Sequence, residues 1–337
     1  MPVTLNKITD DALFSEIGRR QRVPETARLG AKQESLPRST VGIISDESAL
    51  EGFTTWELLD EAVSRAKILY GEDNRADVYQ LVSEPLISLA SSVCALVHSS
   101  DLYLVNGVYQ LKSIPFRQKY SLCACERFGE QPVGAFCSGF LVAPDIVATA
   151  GHCAQAGSDT SMTSVVFDFI MQDAGKPVTE FPPESVYSIK EVVNSVYMRS
   201  SEDWALIRLD RKVENRTPLR LRRSLVPLRS GVFVMGHPVG LPLKYADGAS
   251  VTEYENDACF KANLDTYGGN SGSPIFEENS LDVVGVLVRG DRDFISVVDP
   301  VSGVRCFRSN VIHPTGGMGE GCTHAFLLAE ELDRTED

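Results

Sequence analysis

Residues 266–274 read Thr-Tyr-Gly-Gly-Asn-Ser-Gly-Ser-Pro and place Ser271 among three glycines, Gly268, Gly269 and Gly272. An ordinary surface turn needs only one or two glycines. Glycine also lets a backbone adopt positive φ angles and approach a reacting group closely. The stretch therefore predicts either a flexible turn or a loop built around a reactive hydroxyl.

A serine hydroxyl becomes a good nucleophile only when a neighbouring base takes its proton, and the chain has five histidines. His152 follows the apolar run at 146–151, which predicts an imidazole at the end of a strand. Asp203 begins the apolar segment 203–209, where a half-buried carboxylate needs a donor such as a histidine N–H. His237 is an alternative base, but its Gly- and Pro-rich surroundings favour packing within a loop.

Three segments, Thr-Ala-Gly-His-Cys at 149–153, Asp-Trp-Ala-Leu-Ile-Arg-Leu-Asp at 203–210 and Gly-Gly-Asn-Ser-Gly-Ser-Pro at 268–274, occur in this order. Together they resemble the signatures of the trypsin/chymotrypsin-like serine endopeptidases. The serine motif is most similar to the bacterial branch that includes the staphylococcal glutamyl endopeptidase. The resemblance extends from about Ile68 to the C-terminus.

The resemblance implies a triad in which Ser271 is the nucleophile, His152 the general base and Asp203 the group that orients the imidazole. It also implies an oxyanion hole formed by the backbone N–H groups of Gly269 and Ser271. The expected function is a serine endopeptidase that acts on protein or peptide substrates through an acyl-enzyme, without a cofactor or metal. Two alternatives stay open: an intracellular regulatory protease that activates one partner, and a non-catalytic binding protein on a protease scaffold.

Short β-type runs separated by turn residues follow one another from residue 68 onward and predict an all-β protein. Examples are Asp-Val-Tyr-Gln-Leu-Val at 77–82 and Asp-Phe-Ile-Ser-Val-Val at 293–298. The resemblance implies two six-stranded antiparallel β-barrels of the chymotrypsin-like fold. Residues 324–332 predict a C-terminal helix, and helical spacing of apolar residues at 54–69 predicts a partly helical N-terminal extension.

Charge and composition exclude several kinds of partner. The formal net charge of −14 disfavours nucleic acid and anionic membranes, and no apolar run is as long as a membrane span. The first thirty residues lack the apolar core of a secretory signal, which favours a cytoplasmic protein. The eight cysteines favour a secreted or periplasmic one, so the compartment stays open.

Two of the cysteines, Cys137 and Cys153, flank a predicted hairpin that would bring them side by side. The same pair is bridged widely in the resembled family, so we expect a Cys137–Cys153 disulfide. Cys306 and Cys322 flank a Gly-rich stretch and suggest a second bridge. With His313 and His324 they could alternatively bind zinc, although the spacing lacks a Cys-x-x-Cys pair. Sequence alone does not pair the other cysteines.

Substrate preference is predicted from the residues that precede the nucleophile. By resemblance, Asp265 lies at the base of the primary specificity pocket with Thr266 beside it. A carboxylate there favours Arg or Lys at the cleaved position. Glutamate-selective relatives have a histidine where this chain has Leu287, whereas Arg289 could neutralise Asp265 or select an acidic residue instead.

Residues 1–67 are expected to form a pro-segment, and residues 68–337 the protease domain. The resemblance places a zymogen cut near Lys67-Ile68, and because this bond follows a lysine, one copy could cut another in trans. The neighbour of the nucleophile is the uncharged Asn270, so the ion pair with a freed α-amine used by animal trypsins cannot form there. The alternative is that residues 1–67 are a permanent docking segment.

Overall fold

The structure is a computed structural model that describes Phe53 and residues 69–70, 73–154, 160–198, 202–290, 293–299, 303–312 and 319–336. Apart from Phe53, the predicted N-terminal extension lies outside these residues, as does His313. The predicted all-β class is confirmed, since strands dominate the described residues and close into two antiparallel barrels.

The first barrel closes in the order β1-β2-β3-β6-β5-β4. Its strands are β1 (Val93–His98), β2 (Cys137–Ala143), β3 (Ile146–Thr149), β4 (Thr163–Phe167), β5 (Val186–Tyr197) and β6 (Asp203–Leu209). Many are rich in β-branched and aromatic residues, which pack well on a pleated surface. Strand β3 pairs with β6 so that Thr149 lies opposite Ala205, which brings the end of β3 beside the start of β6.

The second barrel closes in the order β7-β10-β11-β12-β9-β8, because β7 pairs with both β10 and β8. Its strands are β7 (Gly231–Gly236), β8 (Lys244–Tyr254), β9 (Cys259–Ala262), β10 (Pro274–Glu277), β11 (Val283–Arg289) and β12 (Glu320–His324). The short strand Ala76–Asp77 adds to the outside of this barrel by pairing with β8. The expected pair of six-stranded barrels is thus confirmed.

Other short strands lie outside the barrels. Leu69–Tyr70 runs parallel to Val311–Ile312. The antiparallel groups are Leu102–Val105 with Val108–Leu111 and Glu180–Phe181, Ile114–Pro115 with Pro132–Val133, Met171–Asp173 with Lys176–Pro177, and Phe294–Val298 with Arg305–Ser309.

The α-helices of the described residues are few and mostly short: α1 (Glu84–Ala90), α2 (Phe116–Tyr120), α3 (Gly151–Ala154) and α4 (Ala325–Glu336). Single 3₁₀ turns are Val78–Gln80, Ser99–Asp101, Thr160–Met162, Pro183–Ser185 and Pro238–Gly240. Helix α4 confirms the predicted C-terminal helix. None of the helices in the described part of the chain is long and apolar enough to span a membrane.

Strand β6 shows how the core positions the site. Its alternating side chains point to opposite faces, so Ala205 and Ile207 fill the first barrel while Trp204 and Leu206 pack between the barrels. Phe276 of the second barrel belongs to the same inter-barrel cluster. Burying each large apolar side chain contributes about 1.5–3 kcal/mol. The residue at the head of β6, Asp203, is therefore held at the boundary of the two barrels.

Candidate active site

His152 and Asp203 form a two-point contact. The backbone N–H of His152 donates to Oδ1 of Asp203 at 3.0 Å, and its Nδ1 lies 2.7 Å from Oδ2. The Asp203 side chain is only 4% exposed and the His152 side chain 27%. A buried carboxylate accepts both protons in this arrangement, so Nδ1 carries the hydrogen and Nε2 is left as an acceptor.

The second barrel holds Asp203 from the other side. The hydroxyl of Thr323, on β12, donates to the carbonyl of Asp203 at 3.0 Å and lies 3.3 Å from its N–H. Both residues are buried. The sequence did not indicate Thr323, because nothing in its own segment links it to Asp203.

Ser271 follows a tight turn, and we call residues 267–271 the serine turn. The N–H of Asn270 donates to the carbonyl of Tyr267 at 3.1 Å, and Gly269 at the third position has a φ of 82°. A positive φ at this position is typical of a type II turn and favours glycine. The glycines noted in the sequence therefore have a conformational reason.

The two peptides on either side of Gly268 are each held by one hydrogen bond. Gly268 donates its N–H to Oδ2 of Asp293 at 2.8 Å, and its carbonyl accepts from the N–H of Val239. Because a peptide is planar and trans, the N–H of Gly269 points away from the side on which Val239 binds that carbonyl.

Strand β2 of the first barrel connects the serine turn to the histidine side of the site. The hydroxyl of Ser138 donates to the carbonyl of Gly269 at 3.0 Å, and its N–H donates to the carbonyl of Ser271 at 2.9 Å. Cys153, the neighbour of His152, has its Sγ 3.8 Å from that same Ser271 carbonyl. The structure thus places the backbone of Ser271 beside the neighbour of His152, where the two barrels meet.

A disulfide joins Cys137 and Cys153, the pairing that the resemblance implied. The suggested Cys306–Cys322 bridge is wrong, because Cys306 is bonded to Cys123 instead, while Cys322 is buried on β12 and takes part in no disulfide. The zinc alternative fails for the same reason, since a sulfur in a disulfide is not a thiolate ligand.

Two other histidines, His237 and His324, are buried and pack within the fold. The buried ring of His237 stacks on Phe169 with centroids 5.7 Å apart, and its Nδ1 lies 2.9 Å from the carbonyl of Leu241. Burial lowers the pKa of His237 to about 4. This agrees with the prediction that His237 packs within its loop. His324 is also fully buried, on β12.

The residues predicted to select the substrate lie in an acidic, buried segment. Asp265 is 5% exposed. The neighbouring Thr266 donates its hydroxyl to Oε2 of the fully buried Glu320 at 2.8 Å, a contact that the sequence did not indicate. Arg289 forms a 2.8 Å ion pair with Glu255. Leu287 is buried within the second barrel.

Comparison with known proteins shows which proteins this chain is similar to. Residues 137–286 match the trypsin-like peptidase domain family. The chain is 28% identical over 154 residues to a glutamyl endopeptidase of Bacillus licheniformis, covering 43% of this chain and 46% of that protein. It is also 28% identical over 162 residues to secreted RxLR effector protein 73 of Plasmopara viticola, covering 44% and 40%. The matches therefore span less than half of these curated relatives.

Among solved structures, the VesB protease of Vibrio cholerae is similar with a TM-score of 0.48 and 14% identity, over 78% of this chain and 67% of that chain. The similarity to the trypsin-like peptidases rests instead on the matched residues, which contain both His152 and Ser271. The expected resemblance to the trypsin-like serine peptidases is confirmed by the match of residues 137–286 to the trypsin-like peptidase domain family.

Proposed function

We propose that this protein is a serine endopeptidase in which Ser271, His152 and Asp203 form the triad. The observation that carries the proposal is the two-point contact between His152 and Asp203. With Nδ1–H donating to the carboxylate, Nε2 of His152 is the atom that accepts a proton. Asp203 keeps this tautomer and stabilises the imidazolium once it forms.

The reaction follows from these roles. Nε2 of His152 removes the Ser271 proton as Oγ attacks the scissile carbonyl carbon, whose oxygen becomes negative. The N–H groups of Gly269 and Ser271 stabilise this oxyanion, and the positive φ of Gly269 supports that role. His152 then protonates the departing amine, the C–N bond breaks, and water hydrolyses the acyl-enzyme by the reverse proton transfers.

Labelling with a fluorophosphonate tests the nucleophile directly, because this reagent bonds only to an activated serine. We expect the protein to be labelled and Ser271→Ala to abolish labelling. Ser273→Ala is the matched control, since Ser273 is a fully buried serine of the same loop, and it should keep the label. Absence of labelling both in the natural sequence and in a chain that begins at Ile68 would leave only a non-catalytic binding role.

We further propose cleavage after Arg or Lys. Asp265 is buried, as a carboxylate at the base of a selective pocket should be, and Glu320 adds a second acid beside Thr266. The nearby cation Arg289 forms an ion pair with Glu255. The competing specificity is that of the relative named a glutamyl endopeptidase.

A peptide library varied at the residue before the cut separates these specificities. We expect Arg and Lys to be preferred, and Asp265→Ser to lower kcat/KM for Arg substrates by roughly ten- to a hundredfold, the worth of one charged hydrogen bond. Asp257→Asn alters an exposed acid of the same barrel and should leave kcat/KM for Arg substrates nearly unchanged. A preference for Glu with no effect of Asp265→Ser would reject the assignment.

We also propose that residues 1–67 are removed by a cut near Lys67-Ile68, which another copy of the enzyme could make in trans. The support is the lysine before this bond together with the proposed basic preference.

A further inference from the structure

Arg75 is an arginine buried beside the serine turn. Its side chain is 1% exposed and binds the carboxylate of Asp73 through two hydrogen bonds, Nε to Oδ1 and Nη2 to Oδ2, each 2.8 Å. Burial by itself would raise the pKa of Asp73, but hydrogen bonds and charge from Arg75, with Arg127 nearby, lower it. The two groups therefore form a charged pair in which the arginine is buried and the carboxylate is partly exposed.

The guanidinium of Arg75 also contacts Tyr267, the first residue of the serine turn. Its central carbon lies 3.9 Å from the centroid of the Tyr267 ring, and Nη2 donates to the Tyr267 hydroxyl at 3.1 Å. The same hydroxyl contacts Ser309. The ring is completely buried, so these contacts fix its position without competition from water.

Tyr267 transmits this position to the backbone of the turn. Its carbonyl accepts the hydrogen bond from Asn270 that closes the turn around Gly269. A shift of Tyr267 would therefore move the peptide whose N–H is assigned to the oxyanion.

The segment that carries Arg75 is itself firmly attached; we call residues 73–77 the N-terminal arm. The guanidinium of Arg127 donates to the carbonyls of Asp73 and Arg75 at 2.5 and 2.8 Å. At the other end of the arm, buried Lys244 forms a 2.5 Å ion pair with Asp77. Arg75 therefore reaches the serine turn from a fixed support.

A buried ion pair contributes little net stability, because both charges lose their hydration. Stability alone therefore does not account for a charged arginine at this position. We propose that Arg75 is a positioning residue that holds Tyr267, and through it the serine turn, in the shape needed for oxyanion binding. This inference rests on the proposed endopeptidase function. The contact also links the N-terminal arm to the site without an α-amine. This is relevant because Asn270 carries no charge and cannot form an ion pair with a freed α-amine.

Hydrogen exchange and kinetics of Arg75→Lys test the proposal. Lysine keeps the charge but lacks the planar fork that binds the carboxylate and the ring together. We expect the amides of residues 267–272 to exchange about tenfold faster, by local opening of the turn. We expect kcat to fall about tenfold, less than the roughly 10²–10³ lost with an oxyanion donor, while KM stays unchanged.

Arg216 offers a matched control in the first barrel. Its guanidinium binds Asp168 through two hydrogen bonds of 3.1 and 2.6 Å and lies 4.6 Å from the Phe167 ring centroid. Arg216→Lys makes the same chemical change away from the serine turn and should alter neither the exchange of residues 267–272 nor kcat.

Asp73→Asn is the second variant in case Arg75→Lys fails to fold, because it weakens the same pair from its partly exposed side. Unchanged exchange in the folded variants, or equal acceleration in Arg216→Lys, would overturn the proposal. Fluorophosphonate labelling of the natural sequence is run alongside. Lack of label there and in a chain that begins at Ile68 would remove the proposed function, while the exchange comparison would still decide whether Arg75 holds the turn.

Discussion

Gly269 and Gly272 flank Ser271 and have φ angles of 82° and 86°. A Cβ at Gly272 would lie 2.1 Å from the carbonyl oxygen of Ser138 and 2.3 Å from Oγ1 of Thr149. These atoms belong to the first barrel, next to the strand end that carries His152. Gly272 thus allows the two barrels to approach each other at the site.

We expect Gly272→Ala to destabilise the fold and to abolish fluorophosphonate labelling, because the added carbon separates the serine turn from the first barrel. Gly107 is the matched control, with a φ of 82° but nothing within 4 Å of its Cβ position. Gly107→Ala should therefore cost only the about 1–2 kcal/mol of a left-handed backbone. Urea unfolding measures the stability lost in each variant, and equal losses of stability would contradict the steric argument.

At the scale of elements, β12 buries a histidine among aromatic rings. His324 is fully buried, with its ring centroid 4.8 Å from that of Phe260 and 5.6 Å from that of Phe326. Burial lowers the pKa of His324 from an ordinary 6.5 to about 4. Between about pH 4 and 6.5, the His324 ring therefore stays neutral in the folded protein but becomes protonated in the unfolded chain.

We expect the free energy of unfolding to fall as the pH is lowered from about 6.5 towards 4, because only the unfolded chain takes up this proton. The loss from His324 levels off below the folded pKa at no more than about 3 kcal/mol. His324→Phe should remove about half of this slope in a pH series of urea unfolding curves, because His237, whose pKa burial also lowers to about 4, keeps contributing. Phe326→Leu should instead shift stability equally at every pH, and an unchanged slope in His324→Phe would contradict the argument.

The elements also show the limits of sequence patterns. The run at 293–298 forms the predicted strand at Phe294–Val298, but the run at 77–82 does not. There the chain leaves the sheet after Asp77 and forms a 3₁₀ turn, because the N–H of Asp77 donates to the side chain of Gln80 at 2.8 Å. A local side-chain hydrogen bond outweighs the β-type composition.

At the scale of the whole molecule, features formed by residues close in sequence could be predicted, whereas contacts between residues far apart in sequence could not. Cys137 and Cys153 are 16 residues apart, at the start of β2 and in the helix α3 that follows β3, and the three motifs around the site are each contiguous. By contrast, Cys123 bonds Cys306 across 183 residues, and Arg75 reaches Tyr267 across 192. Such contacts depend on how the barrels and the N-terminal arm come together, which no local pattern encodes.

The proposed removal of residues 1–67 also belongs to this scale. We expect N-terminal sequencing of the active species to begin at Ile68, and Lys67→Gln to prevent that cut by removing the basic residue before it. Lys32→Gln changes another lysine of the extension and should leave processing intact. Fully active protein that retains Met1 would favour a permanent docking segment.

The bond between Cys123 and Cys306 encloses a length of chain that contains His152, Asp203 and Ser271. Scission of any single loop within this covalent ring leaves both fragments tethered. A molecule cut once by another copy of the enzyme would therefore migrate as one species until a reductant is added. A single cut in a surface loop would therefore not by itself release the part of the chain that carries His152, Asp203 or Ser271.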